Sequence, residues 1–184
     1  MPEIALHLLD LVQNSIQAGA QVVEIILRLD LEGRLTMIIR DDGRGMDDQG
    51  AQQALSPFVT SRATRKVGLG IPLTREAAYS TGGSFDLISA PGQGTRVQAV
   101  FDTRHIDCPP LGKLADTLAA LILGNPEGPD FTIHLSCDGA EEALDTRQMK
   151  DTLGPVPIND PDVALWLTSV LHDMANHTLG GIIS

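Results

Sequence analysis

The chain has 184 residues, a formal net charge of −11 and 42% hydrophobic residues, with a mean hydropathy of +0.04 and a pI near 4.6. That length builds one domain with a real core, or one domain plus a substantial extension, and the longest apolar runs, such as 22–29 and 118–123, are far too short to cross a bilayer. Tracking a nucleic-acid backbone requires clustered Lys and Arg. The one basic cluster, Arg62, Arg65 and Lys66, suffices for a triphosphate and not for a duplex, so nucleic acid and membrane are both excluded as expected partners.

In chain order, apolar residues at helical spacing predict an amphipathic helix over 4–17, stopped at Gly19. A β-branched run over 21–30, a turn at Leu31-Glu32-Gly33 and a second run over 34–40 predict a hairpin. A short helix over 46–55 follows, then a polar stretch over 56–67 without a clear period, read as a loop. The pattern over 70–80 predicts a helix, with Pro72 tolerated in its first turn, and Thr81-Gly82-Gly83 ends it. Residues 84–90 and 95–102 predict a second hairpin across Pro91-Gly92-Gln93-Gly94. This α-β-β-α-loop-α-β-β order predicts an α+β fold: a two-layer sandwich of one mixed, mostly antiparallel sheet with helices on a single face.

After Asp107-Cys108-Pro109-Pro110 the pattern changes. A helix over 111–123, a strand over 131–137, a helix from Asp145 as N-cap to Gly154, and a last helix over 161–177 with Asp160 as N-cap form an α/β extension. Trp166 in that last helix is expected in the core or at an interface. The expected division is therefore 1–104 and 105–184. Cys108 and Cys137 lack Cys-x-x-Cys spacing and read as unpaired thiols. The start, Met1-Pro2-Glu3, has no basic region of a secretion signal, which predicts a cytoplasmic location. None of the five histidines has metal-ligand spacing, and His7 lies on the first helix itself.

Four short motifs carry the chemistry. On the first helix, Asp10, Asn14 and Gln17 stand at i, i+4 and i+7 and share a face. An amide oxygen there can ligate Mg²⁺, and a carboxylate one turn away can take a proton from an attacking water. Asp41-Asp42-Gly43-Arg44-Gly45-Met46 directly follows an apolar strand. Its glycines let backbone pass close under a flat base, while a buried carboxylate accepts from an exocyclic amine. Pro57-Phe58-Val59-Thr60-Ser61-Arg62 leads to Gly68-Leu69-Gly70. Glycines at a helix start offer free N–H groups to phosphate, and Thr60, Ser61 and Arg62 can add hydroxyl donors and charge. Finally, Gly92-Gln93-Gly94-Thr95 opens the last strand of the second hairpin.

In this order, the four motifs resemble the N, G1, F/G2 and G3 boxes of the GHKL superfamily, whose Bergerat ATP-binding fold is shared by DNA gyrase, the Hsp90 chaperones, histidine kinases and MutL. The resemblance covers 4–102. It implies ATP and Mg²⁺ as cofactors, with Asn14 on the metal and Asp10 at the general-base position. That position is Glu in the MutL, gyrase and Hsp90 branches, so Asp10 is one methylene shorter. It further implies that Asp41 accepts from adenine N6, with Gly43, Gly45 and Met46 beneath the base and Thr95 supporting Asp41. Asp42 is then the variable, solvent-facing position. Thr60, Ser61, Arg62, Gly68, Leu69 and Gly70 are implied around the phosphates. Gln13-Asn14-Ser15-Ile16-Gln17-Ala18-Gly19-Ala20 resembles MutL, and the loop with its glycines resembles some sensor histidine kinases. The whole is similar to stand-alone modules such as the anti-sigma-factor serine kinases. Three readings stay open: an ATPase or protein kinase, an ATP-dependent binding module that recruits a protein partner through its loop and extension, and a scaffold that has lost the nucleotide.

Overall fold

A computed structural model describes residues 2–56 and 69–180. The first elements are α1 (Ile4–Gln17), β1 (Val22–Leu29), β2 (Arg34–Asp41), α2 (Asp48–Ala54), α3 (Gly70–Ser80), β3 (Ser84–Ser89) and β4 (Thr95–Asp102). Then come α4 (Leu114–Leu123), β5 (Asp130–Cys137), β6 (Ala140–Asp145), α5 (Thr146–Leu153) and α6 (Pro161–Leu179). The six strands form one sheet in the order β3-β4-β2-β1-β5-β6. Only the β1–β5 pairing is parallel; the other neighbours run antiparallel. The α+β sandwich with a mixed, mostly antiparallel sheet is thus what the chain forms.

Strand periodicity decides which face is covered. Val23, Ile25, Leu27 and Leu29 of β1 are buried, as are Leu35, Met37 and Ile39 of β2, Val97, Ala99 and Phe101 of β4, and Phe131, Ile133 and Leu135 of β5. Alternate residues point to one face of a strand, so these side chains make one apolar layer, and α1, α3 and α6 pack on the strands that carry it. Each fully buried aliphatic side chain contributes about 1.5–3 kcal/mol relative to exposure. The intervening positions, Glu24, Ile26, Arg28, Arg40 and Ile88 among them, are partly or fully exposed. The expected division at 104/105 falls between β4 and α4, and both parts contribute to this sheet and to one contiguous core.

The start of α1 shows how the two parts meet. The first N–H groups of a helix have no partner within it, and Glu3 at the N-cap offers no side-chain bond. Instead Ile4 N donates to Pro110 O at 2.9 Å and Ala5 N to Leu111 O at 3.0 Å. This use of 110–112, with Gly112 at φ +76°, is why α4 begins at Leu114 and not at 111 as the apolar pattern suggested.

Two further differences have physical causes. Asp47 caps α2 by accepting from Gly50 N at 2.7 Å, so Met46 lies before the helix. Strand β6 replaces irregular chain: Ala140-Glu141-Glu142-Ala143 has helix-forming residues, but Asp138 at φ 45° and Gly139 at φ 83° turn the chain back and pair it with β5. Trp166 is 54% exposed. Among the described residues, no helix is long and apolar enough to cross a membrane.

Candidate functional site

Asp41 is the last residue of β2 and is held between Val23 of β1 and Thr95 of β4 in the sheet register. Its side chain is 8% exposed. A buried carboxylate needs hydrogen-bond donors, and two are supplied: the Ser15 hydroxyl donates to Oδ2 at 2.6 Å and Gly43 N donates to Oδ1 at 2.9 Å. Both bonds are charge-assisted and short. They fix the carboxylate on the wall of a cavity of about 220 Å³ between α1 and the ends of β2 and β4. The same cavity gathers Asn14, Gly45, Met46 and Thr95 from three separate stretches of sequence, together with the apolar Leu11, Ile39 and Ile71. A mixture of flat apolar walls and one anchored acceptor suits an aromatic ring carrying an amine.

The glycines of the second and fourth motifs are required by close backbone approach. Gly45 has φ +65° and Gly94 φ +76°, and a Cβ on either would collide with main chain, at Ala90 O and Asp41 O respectively. The two segments are also tied by hydrogen bonds. Gly92 N donates to Arg44 O at 2.7 Å, and Met46 N donates to Ser89 Oγ at 2.8 Å. Ser89 in turn donates to Gly94 O at 3.0 Å, so its oxygen accepts from the Thr95 hydroxyl at 2.9 Å. Thr95 therefore reaches Asp41 through register and backbone, and its hydroxyl pairs with Ser89.

Asp42 is exposed, as expected, and also structural: its Oδ1 accepts from Gln21 N at 2.7 Å and Val22 N at 2.9 Å, closing the start of β1. Ser15 and Ser89 hold the site's framework together through these hydrogen bonds and are not among the residues expected from the sequence. The signal for Ser15 was its place one residue after Asn14 on a buried helical stripe.

One turn before Asn14, Asp10 is exposed and is not among the residues lining the cavity. The first residue of α3 sits directly against it: a Cβ built on Gly70 would come within 2.9 Å of the Asp10 Cβ. The N-terminus of α3, where unpaired N–H groups collect, thereby meets the acidic end of the α1 face. Leu69 precedes it as N-cap and is 46% exposed. Thr60, Ser61, Arg62 and Gly68 lie outside the described residues. Among the described residues, no group of three His, Cys, Asp or Glu side chains could hold a metal ion. Asn14 and Asp10, four residues apart on α1, carry an amide and a carboxylate oxygen, hard donors of the kind that could hold Mg²⁺. A wider cup of about 720 Å³ lies over the uncovered sheet face. Its arginines Arg40 and Arg96 are paired there, with Glu24 at 3.3 Å and with Asp86 at 3.8 Å respectively.

Fold and site together describe an α+β sandwich with a largely apolar cavity, carrying one anchored carboxylate, between its first helix and its sheet. The chain belongs to the histidine kinase-, DNA gyrase B-, and HSP90-like ATPase family, whose model matches residues 3–105. It is 34% identical over 127 residues to the cell-division control histidine kinase PdhS of Brucella abortus, a stretch covering 62% of this chain and 12% of that relative. The same protein of Brucella ovis is similar to the same extent. The chain thus spans about an eighth of the length of these relatives. Among solved structures, the N-terminal domain of a DNA repair protein superposes with a TM-score of 0.54 at 16% identity, covering 79% of this chain and 53% of that one. That likeness, at so low an identity, is one of fold.

Proposed function

We propose that the protein binds Mg²⁺–ATP in the cavity beside Asp41 and cleaves the γ-phosphate, releasing it to water or passing it to a protein partner. The observation that carries this reading is the Asp41 carboxylate, clamped by Ser15 and Gly43 yet still lining the cavity. Oriented in this way, it accepts from adenine N6, which an amide nitrogen in its place cannot do. Asn14 holds the metal through its amide oxygen. When bound, Mg²⁺ neutralises charge on the phosphates. Asp10 takes the proton of the attacking water or hydroxyl as its oxygen bonds to the γ-phosphorus and the bond to the ADP oxygen breaks. Thr60, Ser61, Arg62, Gly68, Leu69 and Gly70 embrace the phosphates, with the N–H groups at the start of α3 as donors.

A second reading is favoured by a specific observation. Asp10 is a short carboxylate at an exposed position, which suits a module that binds ATP and recruits a partner without turnover. Under either reading the partner meets residues 105–184, where Leu165 and Trp166 are exposed on α6.

Incubating the purified protein with Mg²⁺ and γ-labelled ATP, while following bound nucleotide and free phosphate, separates the two. Binding with steady release makes it an ATPase. Binding without release makes it a switch or a kinase awaiting its acceptor. Failure to bind sinks the proposal.

A further inference from the structure

His7 is 2% exposed on α1, one turn before Asp10, and the proposed chemistry gives it no role. Its Nδ1 lies 3.2 Å from Thr74 Oγ1, and that hydroxyl lies 2.7 Å from Gly70 O, one turn back on α3. A threonine hydroxyl has a single hydrogen to give. The carbonyl can only accept and makes the shorter contact, so it takes that hydrogen. The hydroxyl oxygen then accepts from His7, and Nδ1 carries the ring hydrogen. Nε2 is left as a lone pair, buried and with no partner among the described residues. Burial pushes the imidazole pKa down, against the opposing pull of Asp10, which keeps the ring neutral. A leucine would fill this space with no orphaned nitrogen, and leaving a buried polar atom without a partner is destabilising. Packing alone therefore does not account for an imidazole here.

What the imidazole does is tie α1 to α3 at a second point. Gly70 is already packed on Asp10. The bond from His7 through Thr74 to the Gly70 carbonyl crosses between the same two helices one turn away. We infer that His7 is a positioning residue for the nucleotide site: its Nδ1–H, through the Thr74 hydroxyl and the Gly70 carbonyl, fixes the first turn of α3 against Asp10 and so sets where that turn's N–H groups meet the terminal phosphate. The inference rests on the nucleotide reading above. It also places the effect at the γ-phosphate end, away from the adenine cavity.

The test is a comparison of ATP and ADP affinity in the wild type and in His7→Leu, Thr74→Val, the double variant and His7→Asn. Loss of the relay weakens ATP about fivefold, the worth of one neutral hydrogen bond, and leaves ADP unchanged. The double variant is no worse than either single one. His7→Asn, whose amide N–H stands near the place of Nδ1–H, recovers the wild-type ATP-to-ADP ratio. A general loosening of the fold would weaken both nucleotides alike, and Asn would not rescue it. An unchanged ratio in His7→Leu and Thr74→Val, or losses that multiply in the double variant, overturns the inference while the nucleotide reading stands. A wild type that binds neither nucleotide overturns both.

Discussion

The Ser15 hydroxyl donates to Asp41 Oδ2 at 2.6 Å, so the helix that carries Asn14 also holds the carboxylate at the end of β2. Under the proposed function, adenine recognition and metal binding are therefore coupled through one helix face. Asp41→Asn should abolish ATP binding, because the amide presents a donor where adenine N6 needs an acceptor, with the fold retained by circular dichroism. Ser15→Ala should weaken ATP by about five- to tenfold, the loss of one charge-assisted hydrogen bond. Isothermal titration of both variants checks this, and normal affinity in Asp41→Asn removes the site assignment.

Asp10→Asn separates turnover from binding. Under the hydrolytic reading, phosphate release should fall by about a hundredfold or more while ATP affinity stays within a factor of about two. Single-turnover release and a binding titration read the two quantities independently. Unchanged turnover would remove Asp10 from the role of base.

Gly94→Ala tests the interlock between the second and fourth motifs. A methyl group there strikes the Asp41 carbonyl at a φ of +76°. The expected loss is about 3 kcal/mol or more of stability, combining left-handed strain with a backbone clash. Urea unfolding measures it, and a loss under about 1 kcal/mol would mean that the turn can move aside.

The buried His7 gives stability a defined pH response. Its folded pKa is lowered by burial, partly offset by Asp10. Below the ordinary value of 6.5 the unfolded chain takes up a proton that the folded chain refuses. This contribution is thus complete above pH 6.5 and is lost as pH falls from there through the folded value. Urea midpoints should fall over that range in the wild type, and the His7→Asn profile should be flatter. Parallel profiles would place the ring's protonation elsewhere.

The parts of this molecule governed by local rules were readable. Residues 4–17, 70–80 and 95–102 form α1, α3 and β4 with the expected bounds, since helical or alternating spacing there ends at Gly19, Gly82 or Gly94. Asn14, Asp41, Gly45, Met46 and Thr95 were named from motifs, and all line one cavity. What escaped depended on distant chain. The Asp138-Gly139 turn was a legible hairpin signal, yet the helix-forming residues after it become β6 only because β5 is there to pair with. Ser89 belongs to no motif; its worth lies in three groups that converge on one hydroxyl after β3 and β4 align. The end of β2 against β4 and the start of α1 against Pro110 and Leu111 likewise exist only in the folded chain.

The parallel β1–β5 pairing has a consequence for biosynthesis. During synthesis Val22 leaves the ribosome well before Asp130, where the strand beside it begins. Until then Val22–Leu29, with its run of Val, Ile and Leu, has β2 on one side and bare backbone N–H and C=O groups on the other. Such an edge is a template for pairing with another nascent chain. A chain cut after residue 104 would keep every motif of the nucleotide site and lose the strand that shields this edge. It should come out of cells as aggregate unless a soluble strand donor is supplied in trans.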